Sequence, residues 1–139
     1  MTEVQLTPAQ HARVRKALAS VPYAKLLGIK IDQIAVGSAT LSLKVRKELK
    51  QNRGVVHGGA IASLIDSATA FAIISMLQPD ESATTVDMTI SYLRPVARGR
   101  MTASAKVVRA GRRIIAVSAE AYDDQQTIVA TSLSTYIKL

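Results

Sequence analysis

Apolar and polar residues alternate strictly between residues 38 and 45 of the chain. The apolar positions are Ala39, Leu41, Leu43 and Val45, and the polar positions are Ser38, Thr40, Ser42 and Lys44. A period of two puts the apolar side chains on one face, so this segment predicts a half-buried β-strand. The preceding stretch, GIKIDQIAVG at residues 28–37, predicts a second strand, with Gly37 at the turn between the two.

The segment from Gly58 to Leu77 is the longest apolar run in the sequence and is rich in Ala, Leu and Ile. It is too long for a single strand and is followed by Pro79, so it predicts an α-helix. Its few polar residues do not collect on one side of a helix. We therefore expect this helix to be buried on nearly all sides.

A further helix is predicted near the N-terminus. Thr7 and Pro8 are typical of an N-cap and a first helical position, and the helix is expected to run to about Ser20 and to be closed by Pro22.

Four strands are predicted after Pro79. In the first of them, alternate positions of one face are occupied by Val86, Met88, Ile90 and Tyr92. The second and third flank Ala110-Gly111, which is a hairpin signal, and the last lies within residues 126–139.

The predicted order is one helix, two strands, a buried helix and four strands. One long helix with a mostly antiparallel sheet indicates an α+β fold. The length of 139 residues suits a single domain, residues 1–139, in which residues 1–22 form an N-terminal helical extension.

Composition narrows the possible functions. The chain has no cysteine, which excludes disulfides, thiolate metal sites and a cysteine nucleophile, and its 2 histidines make a structural zinc site improbable. The first residues contain Glu3 and no apolar core, so they do not resemble a signal peptide, and Asp66 within the apolar run argues against a membrane span. We expect a cytoplasmic protein without a metal or cofactor.

The charge is uneven. There are 18 basic and 10 acidic residues, and no acidic residue lies between Thr89 and Ala119. The arginines of this acid-free run are Arg94, Arg98, Arg100, Arg109, Arg112 and Arg113. A field of one sign favours an anionic partner such as nucleic acid, an anionic membrane or a phosphorylated small molecule, although a solvated basic surface explains it equally well. The scarcity of aromatic residues disfavours stacking on single-stranded nucleic acid.

Asp66 is the first of two features that indicate chemistry. A carboxylate within an apolar helix is costly unless something solvates it, so it is either hydrogen-bonded to a neighbouring strand or exposed to a substrate. The residues one turn away on its face are Ala62, Ser63, Thr69 and Ala70. All are small, which either leaves room beside the carboxylate or lets the helix approach the sheet closely.

His57-Gly58-Gly59 directly precedes this helix and is the second feature. The first N–H groups of a helix have no partner within it, and the positive end of the helix dipole lies behind them. Because Gly58 and Gly59 have no side chain to block an approach, such a site can hold a carbonyl oxygen that becomes an oxyanion. Gly-Gly is also an ordinary junction between a loop and a helix.

Together these motifs resemble the hot-dog fold acyl-CoA thioesterases of the phenylacetate-degradation (PaaI-like) group. The resemblance rests on Asn52 and Gly54, on His57-Gly58-Gly59, on Asp66 in its apolar helix, and on TTVDMTISYLRP at residues 84–95. It covers the chain from about residue 27 to the C-terminus. It implies a long helix wrapped by a curved antiparallel sheet, and homodimers or homotetramers with active sites shared between subunits.

The resemblance also implies roles for individual residues. Asp66 of one subunit would act as nucleophile or general base, and the Gly58 N–H of the other would polarise the thioester carbonyl. Asn52 and His57 would position the thioester or water, and Thr85, or else Thr84, would hold the water or support the carboxylate. Coenzyme A carries three phosphates, so the six arginines of the acid-free run become candidate partners for them. Gly59 becomes a further candidate for binding the substrate or coenzyme A.

Three other functions fit parts of the sequence. An enoyl-thioester hydratase or dehydratase of the same fold also pairs His with a carboxylate, but the signature Asp-x-Asn-Pro-x-His is absent. A non-catalytic acyl-CoA-binding protein would not need Asp66 and His57-Gly58-Gly59 together. Nucleic-acid binding through the basic run lacks a recognisable module. The acyl group and the choice between dimer and tetramer do not follow from the sequence.

Overall fold

A long central helix lies against one six-stranded antiparallel sheet in the computed structural model, which describes residues 3–139. The helices are α1 (Pro8–Ala19), α2 (Pro22–Leu27) and α3 (Gly58–Ile74). The strands are β1 (Lys30–Ala35), β2 (Ser38–Lys44), β3 (Ala83–Tyr92), β4 (Arg100–Ala110), β5 (Ile114–Tyr122) and β6 (Ile128–Lys138). Their order in the sheet is β1-β2-β4-β5-β6-β3, so β3 is an edge strand. The first two residues of the predicted N-terminal extension lie outside the described part of the chain.

The N-terminal region differs from its prediction in one respect. Thr7 and Gln10 form a reciprocal capping box, which begins α1 as expected. Pro22 was predicted to close this helix, but it also occupies the first position of α2, where its missing N–H costs nothing. The α2 helix was therefore missed; it ends at Leu27 and is capped by Gly28, whose φ of 73° is the left-handed conformation that glycine adopts readily.

The core lies between α3 and the concave face of the sheet. Leu64, Ile65 and Ala68 of α3 are fully buried there, together with the alternating residues of β2, as the strand pattern predicts. The prediction of burial on nearly all sides is wrong for one stripe of α3, because Ala62, Asp66 and other residues four positions apart stay half-exposed. None of the helices within residues 3–139 is long and apolar enough to span a bilayer.

The predicted end of α3 and one polar position in β2 also need correction. The helix ends at Ile74 rather than Leu77, because Ser75 caps it and accepts a hydrogen bond from the Gly37 N–H at 2.8 Å. Ser42, predicted to be on the polar outer face, is fully buried since its hydroxyl donates to Asp32 and accepts from Arg100.

A β-bulge in β3 changes the faces of that strand. Thr85 pairs with Tyr136 of β6, whereas the next paired residue, Asp87, lies opposite Thr135. Val86 is therefore the extra residue and is 60% exposed, which contradicts the prediction that it shares a face with Met88. The consequence is that Thr85 turns toward α3.

We predict that Leu64→Ala lowers the free energy of unfolding by about 2–5 kcal/mol, the usual cost of a cavity at a fully buried leucine. Urea denaturation followed by circular dichroism measures this change. Leu26→Ala is the matched control, because Leu26 is 66% exposed and its truncation is expected to cost less than about 1 kcal/mol. Equal losses in the two variants would contradict the position of the core.

Candidate functional site

The Asp66 carboxylate is held by hydroxyl groups from two neighbouring strands. Its Oδ1 atom accepts a hydrogen bond from Thr85 Oγ1 at 3.1 Å and another from the Tyr136 hydroxyl at 3.2 Å. Thr85 and Tyr136 face each other across the β3–β6 pairing, so the sheet presents both hydroxyls at one level of α3. Among the described residues no group donates to the second oxygen, Oδ2, and no cation pairs with the carboxylate.

Tyr136 is the most buried of these donors, with 3% of its surface exposed. Burial raises the pKa of its hydroxyl to about 12, so the group keeps its proton at neutral pH and remains able to donate. The hydroxyl also lies 2.8 Å from Thr69 Oγ1 and 3.2 Å from the Asp66 carbonyl oxygen. Thr69, which the sequence placed among the small residues beside Asp66, is thus fully buried against the sheet and leaves no space there.

The start of α3 leaves one backbone donor free. His57 is the N-cap, and its Nδ1 accepts from the Gly59 N–H at 2.8 Å, so Gly59 is occupied by the protein itself. Within residues 3–139 the Gly58 N–H donates to no acceptor. The Tyr92 ring lies against Gly58, where an added Cβ would come within 3.3 Å of it, and the Tyr92 hydroxyl donates to the Gly58 carbonyl at 3.1 Å.

The other predicted catalytic residue, Asn52, lies in the turn that precedes His57. Its side chain is exposed and makes no hydrogen bond within the described chain. Asp66 and Gly58 are eight residues apart on one helix, or about 12 Å. The structure therefore brings Asp66 and Thr85 together at one place, and His57 and Gly58 together at another.

The arginines of the acid-free run fall into two groups at opposite ends of the sheet. Arg100 and Arg109 lie near the two ends of β4, roughly 30 Å apart. Arg94 and Arg98 belong with Arg100, at the end where the Val56 N–H donates to the Val96 carbonyl beside the start of α3. Arg112 and Arg113 lie in the β4–β5 hairpin near the end of β6, where the Lys138 N–H donates to the Arg113 carbonyl.

Individual arginines differ in whether their guanidinium groups make hydrogen bonds. Arg100 donates to Ser42 and Arg94 donates to the Ile128 carbonyl, each at 3.0 Å. Arg98, Arg109, Arg112 and Arg113 are exposed, and their guanidinium groups make no hydrogen bond within residues 3–139.

An apolar cavity of about 280 Å³ lies beside the Asp66 cluster. Tyr136 and Ala70 form its near wall, and Ala70 lies one turn from Asp66. Ile74, the last residue of α3, and Leu77, which follows the helix, continue this wall. Arg13 and Ala17 of α1 close the far side. A larger groove of about 1160 Å³ lies between α1 and β1, but none of the residues around Asp66 or Gly58 lines it.

A family model described as the thioesterase superfamily matches residues 53–130, which is more than half of the chain. The chain belongs to the thioesterase superfamily. The matched segment includes His57, Gly58, Asp66 and Thr85. Membership confirms the predicted class of enzyme, a thioester hydrolase, and favours it over the hydratase, the non-catalytic binder and the nucleic-acid-binding protein.

Individual thioesterases resemble this one over most of their length. The medium/long-chain acyl-CoA thioesterase YigI of Escherichia coli (strain K12) is 26% identical over 84% of this chain and 85% of its own. The PaaI protein of the E. coli phenylacetic acid degradation operon superposes with a TM-score of 0.90 at 27% identity, covering 97% and 96% of the two chains. A thioesterase family protein from Silicibacter pomeroyi gives a TM-score of 0.89 at 28% identity, covering 94% and 98%. These likenesses confirm the predicted hot-dog fold and its PaaI-like character.

Sequence reasoning missed three residues of this thioesterase's site. Tyr92 carried a weak signal, since it stands in the SYLRP segment that contributes to the resemblance. Thr69 was placed beside Asp66 only as one of four small neighbours. Tyr136 carried no signal, because a tyrosine in an alternating strand is an ordinary core residue. Their contacts with Asp66 depend on the register between β3 and β6 and on how α3 crosses it.

Proposed function

We propose that this thioesterase hydrolyses an acyl-CoA or aryl-CoA thioester to the free acid and coenzyme A. The observation that carries the proposal is the hydrogen bonding of the Asp66 carboxylate and its exposure. Its Oδ1 atom is held by Thr85 and Tyr136, while Oδ2 has no partner among the described residues, on a half-exposed stripe of α3. A carboxylate anchored through one oxygen leaves the other for water or for the thioester carbon.

Hydrolysis of a thioester requires few catalytic groups. If Asp66 is the general base, it takes a proton from water as the water oxygen bonds to the carbonyl carbon; the carbon–sulfur bond then breaks and the proton passes to the thiolate. If Asp66 is the nucleophile, its oxygen displaces the thiolate and water hydrolyses the resulting anhydride. A thiol has a pKa of about 8.5, so the thiolate leaves without a strong general acid. The free Gly58 N–H stabilises the oxyanion in either case.

The active site is shared between two copies of the chain. One thioester carbon cannot contact Asp66 and Gly58 of the same copy across about 12 Å of helix. The edge strand β3 has unpaired backbone groups along one side, beside Thr85 and Tyr92, and a second copy can meet it there. A two-fold arrangement then places Gly58 of one copy beside Asp66 of the other, twice in each dimer.

The same arrangement gives both groups of arginines a role in binding the substrate. Arg94 and Arg98 lie at the Gly58 end of one copy, whereas Arg112 and Arg113 lie at the Asp66 end. In a shared site these ends come from different copies and approach the same substrate. The exposed guanidinium groups of Arg98, Arg109, Arg112 and Arg113 are the free ones, so they are the preferred partners for the phosphates of coenzyme A.

The apolar cavity beside Tyr136 is the proposed place for the acyl group. It begins one helical turn from Asp66 at Ala70 and is lined mainly by apolar side chains, among them Ala70, Ile73 and Ile74 of α3. The substrates named for YigI, medium and long acyl chains, and the aromatic pathway named for PaaI both describe acyl groups with a large apolar part. A screen of aryl, short-chain and long-chain acyl-CoA substrates, followed by release of free thiol, identifies the preferred group.

We predict that Asp66→Asn reduces kcat for acyl-CoA hydrolysis by roughly 10²–10⁴, the range for loss of a positioned acid–base group. The fold and the binding of acyl-CoA should survive, because the amide has nearly the volume of the carboxylate. Thiol release measures turnover and calorimetry measures binding. Asp80→Asn, in an exposed loop, is the matched control and should retain full activity. Near-normal turnover in Asp66→Asn would rule out the assigned role.

We predict that mixed oligomers regain activity lost by their parents. Subunits with Asp66→Asn and subunits with His57→Ala should each be poorly active alone, and Asn52→Ala can replace the latter. A hybrid dimer then contains one site with both native contributions, so unfolding and refolding the mixture together should raise thiol release above either parent. Native mass spectrometry verifies that hybrids form. Verified hybrids without recovered activity would contradict the shared site.

We predict that Arg98→Gln, Arg112→Gln or Arg113→Gln raises KM for acyl-CoA, since an ordered phosphate–arginine contact is worth about 1.5–3 kcal/mol. An acyl-pantetheine substrate, which lacks the 3′-phosphate and the diphosphate, should be much less affected. The measured quantity is the ratio of kcat/KM for the two substrates, which added salt should also reduce. Lys106→Gln is the control, because Lys106 is an exposed cation of the same run on β4 that borders the larger groove. A constant ratio in all variants would leave the basic run without a role in binding coenzyme A.

A further inference from the structure

We propose that Tyr136 is a positioning residue for the hydrolysis, a role that rests on the function proposed for Asp66. Its hydroxyl proton fixes Oδ1 of the carboxylate, at 3.2 Å, and thereby sets the direction in which Oδ2 faces the thioester and the water. In this proposal the Tyr136 hydroxyl contacts neither reacting molecule, because it is engaged with Asp66 and Thr69. It acts only through Asp66.

The count of hydroxyl protons favours this arrangement. Thr69 and Tyr136 each have one proton, and the acceptors around them are Asp66 Oδ1, the Asp66 carbonyl oxygen and each other's oxygen. Thr69 can donate to the carbonyl oxygen at 2.9 Å or to the Tyr136 oxygen. In both cases the tyrosine proton is best used on the charged oxygen, because a hydrogen bond to an ionised group is about twice as strong as one between neutral groups.

The rigidity of its surroundings makes Tyr136 suited to set an orientation. The side chain is 3% exposed, and β6 is paired on both sides, by β5 and by the edge strand β3. Thr85, the other donor to Oδ1, lies on that edge strand next to a β-bulge and is exposed. The carboxylate thus has one donor from the buried part of the sheet and one from its margin. We therefore expect the buried donor, Tyr136, to contribute more than Thr85 to the orientation of the Asp66 carboxylate.

The test is Tyr136→Phe, which removes the hydroxyl and keeps the ring that lines the apolar cavity. We expect kcat for acyl-CoA to fall roughly 10-fold to 100-fold, as expected when a hydrogen bond to a charged group is lost in the transition state, with KM changed less than about twofold. Tyr122→Phe is the matched control, because the Tyr122 hydroxyl donates to Glu120, which is exposed and lies outside the site. It should leave both constants unchanged.

A double variant separates positioning from a general effect on structure. Once Asp66→Asn has removed the carboxylate, adding Tyr136→Phe should reduce kcat by less than about twofold, because the tyrosine has no carboxylate to orient. A residue that only stabilises the fold would lower the activity equally in both backgrounds. Thr69→Val, which has nearly the same shape, provides an independent variant should Tyr136→Phe fail to fold, and is expected to lower kcat several-fold without changing KM.

The outcomes also distinguish this inference from the function on which it rests. If the wild type hydrolyses acyl-CoA and Asp66→Asn is slow, but Tyr136→Phe and Thr69→Val both keep the wild-type kcat, the role of Tyr136 is wrong and the proposed function stands. A fall in kcat that is equally large in the Asp66→Asn background also overturns it. A wild type without turnover on any acyl-CoA overturns the function, and the role of Tyr136 with it.

Discussion

The packing of α3 into the concave face of the sheet decides where every candidate reactive group of this thioesterase can lie. An apolar helix buries most of its surface there, and the favourable free energy comes from the area removed from water. Only one stripe stays open, and Asp66 lies on it. The same packing fixes the position of the helix N-terminus, which His57 caps, and holds Thr69 against β6. The core and the site are therefore products of one interaction.

The carboxylate is solvated by neutral groups instead of by a cation. Two hydroxyls supply hydrogen bonds to Oδ1, and neither neutralises the negative charge. A buried arginine or lysine would have stabilised the carboxylate more strongly, but it would also have lowered the ability of Asp66 to accept a proton or attack a carbon. Hydroxyl donors offset part of the cost of desolvation without bringing a positive charge to Asp66. The arginines of the acid-free run lie instead at the two ends of the sheet.

Much of the fold could be predicted from local patterns. The alternation in β2 and the long apolar run of α3 reflect burial directly, so these elements were predicted correctly along with the four later strands. The motif residues His57, Gly58 and Asp66 were recognisable because they are close in sequence on one helix and its cap. Contacts between segments that are distant in sequence could not be predicted. The meeting of Asp66 with Tyr136, 70 residues later, depends on strand order and register, which periodicity alone does not encode.

Errors in the prediction have physical causes of the same kind. Val86 continues a perfect alternation with Met88, yet the bulge removes it from the inner face. Pro22 is a sign of a helix end and equally a sign of a helix start, and both apply within two residues of Ser20. Ser42 looks like a surface serine until Asp32 and Arg100 provide its partners. For Val86 and Ser42 a backbone irregularity or a tertiary contact overrides the local pattern, whereas for Pro22 the local pattern itself has two meanings.

The bulge at Val86 lets the length of β3 change by one residue without a change in its pairing. Thr85 pairs with Tyr136 and Asp87 with Thr135 on either side of Val86, so removing that one amino acid would restore a regular ladder and no side chain would exchange faces. Thr85 would stay opposite Tyr136 and would still reach Asp66. Natural loss or gain of a residue at this position can therefore occur without loss of the contact.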